Sequence, residues 1–246
     1  MTGFGPIYGL LVRRLLRPRR LVGFGVLAAL PGFLLLVVDR GFFDSDALAY
    51  QQVTVQLYLT MVLPLVALLL ASSALGDERR ENTMPYLYLK PVRRWVVVVA
   101  ATAAAVTAAG AVGLIGWGVG WVVSGQVTGS WDIALPVLAA LAINVVLYAA
   151  AFVPLGYLTR WSVLIGLAYI FVWEAVLASF IDALSPSSLQ RIGLSAYAAI
   201  ADLGRETLEL LGTVKPGVGG AVAKTAVIAG LSVLVTTTIL RRADTR

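Results

Sequence analysis

Histidine and cysteine are both absent from this chain of 246 residues, and charged residues make up only 13% of it. Without cysteine there can be no disulfides or thiolate metal ligands, and without histidine the commonest metal ligand and general base is missing. These absences exclude a Ser-His or Cys-His catalytic pair. A water-soluble domain of this length would need more charge on its surface, so the composition indicates an integral membrane protein.

Hydrophobic residues form 59% of the chain and fall into long runs. A helix needs about 20 apolar residues to cross the hydrocarbon core of a bilayer. Six runs meet this requirement, and none alternates as a barrel strand would. The sequence therefore predicts an all-α integral membrane protein, a single domain over residues 1–246 with six transmembrane helices. The predicted spans are about 21–38, 53–75, 95–123, 133–157, 161–181 and 218–240.

The basic residues predict the orientation of these spans. Fourteen of the nineteen lysines and arginines lie on the side that holds both chain ends. Because basic residues collect on the cytoplasmic side, both termini are expected in the cytoplasm. The same rule explains the net charge of +6, so no nucleic-acid partner is expected. Arginine outnumbers lysine by 16 to 3, which is typical of high-GC bacteria and indicates a bacterial cell membrane.

The N-terminal arm, residues 1–20, precedes the first span and is rich in arginine. Residues 6–17 have the pattern of an amphipathic interfacial helix whose arginines reach lipid phosphates. The residues expected to share its apolar face are Ile7, Leu10, Leu11 and Leu15. A basic flank that only sets the topology explains the arm equally well. A signal peptide is disfavoured because the apolar run is long and no cleavage site follows it.

The longest segment predicted outside the membrane is 182–217. Ser185 and Pro186 should break the preceding helix. One side of an amphipathic helix is expected from the spacing of Ile200, Leu203, Leu208 and Leu211. We interpret the segment as a helix at the outer interface that covers the transport pathway, and a plain connector remains the alternative.

Glu174 lies in the middle of the fifth predicted span. An ionisable group at that depth is costly, so it should face the bundle interior, water or a partner. Either a translocation-path role or a structural carboxyl at an interface fits this position. In the third span, Gly116 and Gly120 have GxxxG spacing, which favours close helix packing over substrate contact. Trp117 and Trp121 share a face and are expected near the outer interface.

Residues 217–225, GVGGAVAKT, have a partial likeness to the phosphate loop G-x-x-x-x-G-K-[ST]. Ala223 replaces the second glycine, and the segment opens an apolar helix without a preceding strand. Nucleotide binding is therefore not predicted here. Any ATPase activity must come from another chain.

A dense group of charges, GDERRENTMPYLYLKPVRR, separates the second and third spans at residues 76–94. Gly76 and Asp77 are expected to end the second span. Thr83 can cap a short helix, MPYLYLK, in which Pro85 is tolerated in the first turn. Pro91 should stop this helix before the third span begins. A short amphipathic helix held between two spans is suited to docking and to transmitting force.

This segment resembles the coupling region of the permeases of the ABC-2 transporter family. Their loop typically reads E-R-x-x-G-T, then a leucine-rich turn, then P-V-x-R. The matching residues here are Glu78, Arg79 and Thr83, then YLYL, then Pro91, Val92 and Arg94. Asn82 replaces the usual glycine, and asparagine is the next best residue for a left-handed turn.

The resemblance implies a transport subunit rather than an enzyme. Such permeases form dimers, with a second copy or a paralogue, and each half contacts a cytosolic ABC ATPase that holds ATP and magnesium. This chain would bind no cofactor itself. Most members export hydrophobic or amphipathic solutes. The residues implied in ATPase coupling are Glu78, Arg79, Glu81, Asn82, Thr83, Tyr86, Leu87 and Pro91.

The alternative is a self-sufficient membrane protein, either an ion-coupled carrier or a scaffold for a membrane complex. Carriers often show inverted repeats and paired charges inside the membrane. Neither feature is evident in this sequence, so the permease interpretation is preferred.

Overall fold

The computed structural model describes residues 3–39, 54–80, 93–177, 187–201 and 217–243. Regular structure in these ranges is helical, which confirms the all-α class. Five of the helices are long and apolar enough to cross a membrane, and Ser162–Val176 is a shorter apolar helix. The predicted fifth span, 161–181, extends past the described residues, so the count of six spans stays a prediction.

We number the helices in chain order. They are α1 (Phe4–Leu15), α2 (Pro18–Asp39), α3 (Leu63–Arg80), α4 (Arg94–Thr128), α5 (Ala134–Leu158), α6 (Ser162–Ala168), α7 (Leu189–Ile200) and α8 (Val218–Ala243). Two π-helical stretches extend this set: Tyr58–Val62 leads into α3, and Tyr169–Leu177 continues α6. The helices coincide closely with the predicted spans wherever the two can be compared.

Local sequence explains several helix ends. Pro18 occupies the first position of α2, where a missing N–H leaves no hydrogen bond unmade. Gly129 follows α4 with φ 72°, a left-handed conformation that glycine adopts without a steric cost. Ser188 precedes α7, and its hydroxyl accepts a hydrogen bond from the Arg191 N–H at 3.4 Å. Such a cap satisfies one of the free donors at a helix start.

Helix α2 packs closely along α4 at small residues. A Cβ atom on Gly116 would lie 2.5 Å from the Ala28 carbonyl oxygen, and one on Gly32 would lie 3.0 Å from the Gly120 nitrogen. In a bilayer, van der Waals contact at such small residues holds helices together. The predicted packing role of the Gly116–Gly120 pair is confirmed.

Helices α3 and α5 make a second close contact. The candidate membrane span ends at Asp77, in agreement with the predicted end of the second span at Gly76 and Asp77, while the helix itself continues to Arg80. A Cβ atom on Gly76 would lie 2.9 Å from the Gly156 carbonyl oxygen of α5. Gly76 is therefore a packing glycine inside the helix rather than its terminator.

The N-terminal helix α1 packs mainly against α4. Leu11 and Leu15 of the predicted apolar face are buried. Protein covers that face only in part, since Leu10 is 60% exposed. Its position, three residues after Ile7, points it away from α4, and the hydroxyls of Tyr8 and Thr107 hydrogen-bond at 2.8 Å on the packed side.

Helix α7 lies within 182–217, where a short helical segment was predicted, but it begins before Ile200, the first of the apolar positions on which that prediction rested. It packs on α5 and α8, and its buried residues include Leu194 and Tyr197. The amphipathic helix predicted from Ile200 onward falls mainly on residues 202–216, which lie outside the described ranges. The helix that the structure does describe is a packed element of the bundle.

We predict that Gly116→Val lowers the midpoint of thermal unfolding of the detergent-solubilised protein. The new side chain would collide with Ala28, and overpacking of this kind typically costs about 1–3 kcal/mol. Gly118→Val is the matched control, because a Cβ atom on Gly118 meets nothing within 4 Å. Equal midpoints for the two variants would contradict the packing assignment.

Candidate functional site

Glu174 is the centre of a buried polar cluster. It lies in the π-helical stretch Tyr169–Leu177, and its side chain is 3% exposed. This confirms the expectation that the carboxyl group faces the bundle interior. The wider π-helical turn places Tyr169, five residues earlier, beside the same carboxyl group.

Three donors converge on the Glu174 carboxylate. The Tyr148 hydroxyl of α5 donates to Oε2 at 2.5 Å, and the Tyr169 hydroxyl donates to Oε1 at 3.2 Å. The backbone N–H of Gln190, at the start of α7, donates to Oε1 at 3.1 Å. A carboxylate accepts several hydrogen bonds at once, so one side chain joins α5, the fifth span and α7.

The contact with Gln190 also has an electrostatic component. The first N–H groups of a helix lack intrahelical partners and carry a partial positive charge, which favours a nearby anion. Gln190 is the second residue of α7, and Tyr148 lies near the middle of α5. Glu174 therefore stabilises a helix start deep in the bundle, where water would otherwise be needed. This arrangement supports the structural interpretation of Glu174 over a role as an ion-binding carboxylate.

Asn144 lies one turn from Tyr148 on α5 and extends the polar region toward α7. It is fully buried, and neither its amide nitrogen nor its carbonyl oxygen has a hydrogen-bond partner within the described ranges. A Cβ atom on Gly193 would collide with this side chain. Sequence analysis missed Asn144, although the four-residue spacing from Tyr148 within an apolar span was a usable signal.

A separate aromatic cluster lies at the C-terminal end of α4. The rings of Trp117 and Trp121 are stacked with centroids 5.5 Å apart, and Trp131 meets Trp121 edge-on at 5.4 Å. The Trp117 Nε1–H donates to the Ala134 carbonyl at 2.9 Å. Trp117 and Trp121 border an apolar cavity of about 30 Å³, which is large enough for about one water molecule.

Asp77 near the end of α3 faces two arginines from the N-terminal arm. Its Oδ2 atom lies 3.7 Å from Arg14 and 3.6 Å from Arg20. Arg14 belongs to α1 and Arg20 to α2, so these ion pairs connect both helices to α3 at the start of the charged segment. The arm therefore contacts protein at this point, a function that the sequence analysis did not foresee.

Comparison with known proteins shows which family the chain belongs to. The family described as ABC-2 family transporter protein matches residues 16–181, about two thirds of the chain. The chain belongs to the ABC-2 transporter family. It is therefore a multi-pass membrane protein and the transmembrane permease of an ABC transporter. A search of curated proteins found no match.

Only part of the permease's predicted coupling segment lies in the described ranges. Glu78 and Arg79 belong to the last turn of α3, and α4, which contains the third span, begins at Arg94. The remaining predicted coupling residues lie outside the described residues: Glu81, Asn82, Thr83, Tyr86, Leu87 and Pro91. Their roles stay predictions.

The partial phosphate-loop sequence is the start of a helix in the permease. Gly217 precedes α8, and the residues that follow are helical. The Thr225 hydroxyl donates to the Ala221 carbonyl at 2.8 Å, an intrahelical bond. A helical backbone with its hydroxyl engaged in this way does not present the amide cradle that binds phosphates.

We predict that Glu174→Gln lowers the thermal midpoint of the permease in detergent. The amide replaces one acceptor oxygen with a donor, so one of the three donors loses its acceptor, at a cost of about 1–3 kcal/mol. Gln190→Ala is the matched control, because the contact uses the backbone N–H and survives this change. If Glu174 is structural, the folded fraction of Glu174→Gln should transport at the wild-type rate, whereas a stable variant without transport would reverse this assignment.

We expect Asp77→Asn to destabilise the permease by no more than about 1 kcal/mol, since partly exposed ion pairs contribute little. Arg14→Gln and Arg20→Gln should each lower the free energy of unfolding by less than the double variant does, because Asp77 retains one partner in either single variant. Thermal unfolding at low and high salt tests this, and Asp132→Asn, an exposed carboxylate between α4 and α5, serves as the control. Strict additivity without salt dependence would argue against a shared ion cluster.

Proposed function

We propose that this permease exports a hydrophobic or amphipathic solute and is powered by a separate cytosolic ATPase that docks on residues 76–94. The observation that carries the proposal is the coupling-type sequence of this segment in a chain of the ABC-2 family. The segment connects α3 to α4 over residues 81–93. A docking element at this position would act on both helices at once.

The packing of these two helices supports a role in force transmission. Helix α3 packs most extensively on α5, and α4 packs on α2 and α1. Close contacts at Gly76 and Gly116 leave little freedom for sliding without a change in packing. A displacement of the docking segment would therefore reach α1, α2 and α5 through α3 and α4. The ion pairs at Asp77 would include the N-terminal arm in this movement.

The proposed assembly contains two permease halves and two ATPase subunits. ATP and magnesium would be held by the ATPase, and the second permease half would be another copy of this chain or a paralogue. The large exposed apolar side chains on α2 and α8 are suited to lipid or to a second permease. A hydrophobic or amphipathic substrate is consistent with the apolar lining of the bundle.

An ion-coupled carrier is the competing function. Such carriers use intramembrane carboxylates that gain and lose a proton or ion during transport. The Glu174 carboxylate accepts hydrogen bonds from the Tyr148 and Tyr169 hydroxyls and from the Gln190 backbone N–H, which tie it to α5 and α7. This environment favours the ATP-driven permease over the carrier.

The experiment co-expresses the permease with the ABC ATPase encoded beside it and measures co-purification and transport-coupled ATP hydrolysis. Glu78→Ala and Thr83→Pro should each reduce ATPase association or stimulated turnover, with an unchanged amount of permease in the membrane. Thr83→Pro removes an N–H and restricts the preceding residue, which would distort the docking turn.

Asp132→Ala is the control for removal of a carboxylate, because it lies in the short connection at the other end of α4. It should retain both ATPase association and turnover. Full association and full turnover in Glu78→Ala and Thr83→Pro would refute docking at this segment. Transport driven by an ion gradient without any ATPase would refute the permease mechanism itself.

A further inference from the structure

The arginines of the N-terminal arm fall into two structural groups. Arg14 and Arg20 face Asp77. Arg13, Arg17 and Arg19 are exposed, and none has an acidic partner in the described part of the chain. The second group is therefore free to bind an anion from outside the protein.

An open groove runs along α1 beside these exposed arginines. It has a volume of about 650 Å³ and is lined by Gly5, Pro6, Gly9, Leu10, Arg13, Arg14 and Arg17. Arg14 borders the groove while it also pairs with Asp77, so Arg13 and Arg17 are the lining arginines without an acidic partner in the described ranges. A Cβ atom on Gly5 or Gly9 would meet nothing within 4 Å, so the glycines leave the helix surface open. Basic and apolar side chains thus border the same concave surface.

The exposure of Leu10 adds an apolar part to this surface. Leu10 lines the groove and is 60% exposed. Arg13 follows Leu10 by three residues on α1, so the two share a side of the helix, and Arg17, just beyond the end of α1, lines the same groove. Guanidinium groups bind phosphate oxygens in a bidentate manner, and apolar side chains accept an acyl chain.

We propose that this groove is a binding site for one anionic phospholipid. Arg13 and Arg17 bind the phosphate of the headgroup, and Leu10 contacts the adjoining acyl chain. The site differs from general attraction to an acidic membrane because it needs the open groove at Gly5 and Gly9 as well as the charges. It is also independent of ATPase docking, since the segment at 76–94 does not contribute any of its named residues.

The test uses the purified full-length permease in mild detergent. Phosphatidylglycerol and phosphatidylcholine with identical acyl chains are titrated separately, and lipid binding is measured by native mass spectrometry and by the shift of the thermal midpoint. We expect tight binding of phosphatidylglycerol to a single site and weak binding of phosphatidylcholine. Each basic residue near an anionic lipid contributes about fivefold to affinity.

Three variants separate charge from shape. Arg13→Gln with Arg17→Gln should weaken phosphatidylglycerol binding about 25-fold, at about fivefold per arginine. Gly9→Leu keeps every charge but fills the groove, and leucine is a better helix former than glycine, so the helix should persist. This variant should also lose the single-site binding. Leu10→Ser should weaken the binding of phosphatidylglycerol and leave the binding of inorganic phosphate unchanged.

Lys224→Gln with Arg241→Gln is the matched control, because it removes two exposed charges from another helix. It should bind phosphatidylglycerol as the wild type does. An equal loss in this control would overturn the proposal in favour of non-specific electrostatic attraction. Competition by inorganic phosphate as effective as that by the lipid would assign the groove to a free anion, and wild-type binding in Gly9→Leu would also refute the site.

Discussion

Backbone polar groups that cannot reach water must find partners inside the protein, and this constraint shapes the whole molecule. In hydrocarbon each unsatisfied N–H or C=O group costs several kcal/mol, so the chain crosses the membrane as helices. The start of α7 is the exception that needs a side chain. There the carboxylate of Glu174 accepts the Gln190 N–H, and Tyr148 and Tyr169 hold the carboxylate in place. Together with the Ser188 cap, Glu174 satisfies backbone donors at the start of α7.

The same environment explains why small residues dominate the helix contacts. Lipid tails are as apolar as leucine, so burial of leucine supplies little drive for two helices to associate. Close backbone approach supplies it instead, at Gly116 against Ala28 and at Gly76 against Gly156. These contacts connect α3 and α4, the two helices on either side of the charged segment, to the rest of the bundle. The charged segment of the ABC-2 permease is thus flanked by two helices that are closely packed into the bundle.

The N-terminal arm illustrates how one composition can serve two purposes. Its arginines are alike in sequence, yet Arg14 and Arg20 pair with Asp77, while Arg13 and Arg17 have no acidic partner in the described ranges. Arg13 and Arg14 are adjacent on α1 and point about 100° apart, so Arg14 reaches Asp77 while Arg13 stays exposed. The paired arginines bind the arm to the second span, and the exposed ones border the open groove.

The long apolar runs were sufficient to predict the all-α membrane class, because hydrocarbon thickness sets helix length. They also limited Glu174 to the bundle interior, water or a partner, and the structure places it in the interior. The motif at 76–94 was sufficient to indicate the family. Three features depended on the tertiary structure: the donors that meet Glu174, the exposure of Leu10, and the continuation of α3 through Gly76. Each is decided by which neighbouring helix comes close. Periodicity along one chain identifies the faces of a helix, but only packing determines which face meets protein and which meets lipid.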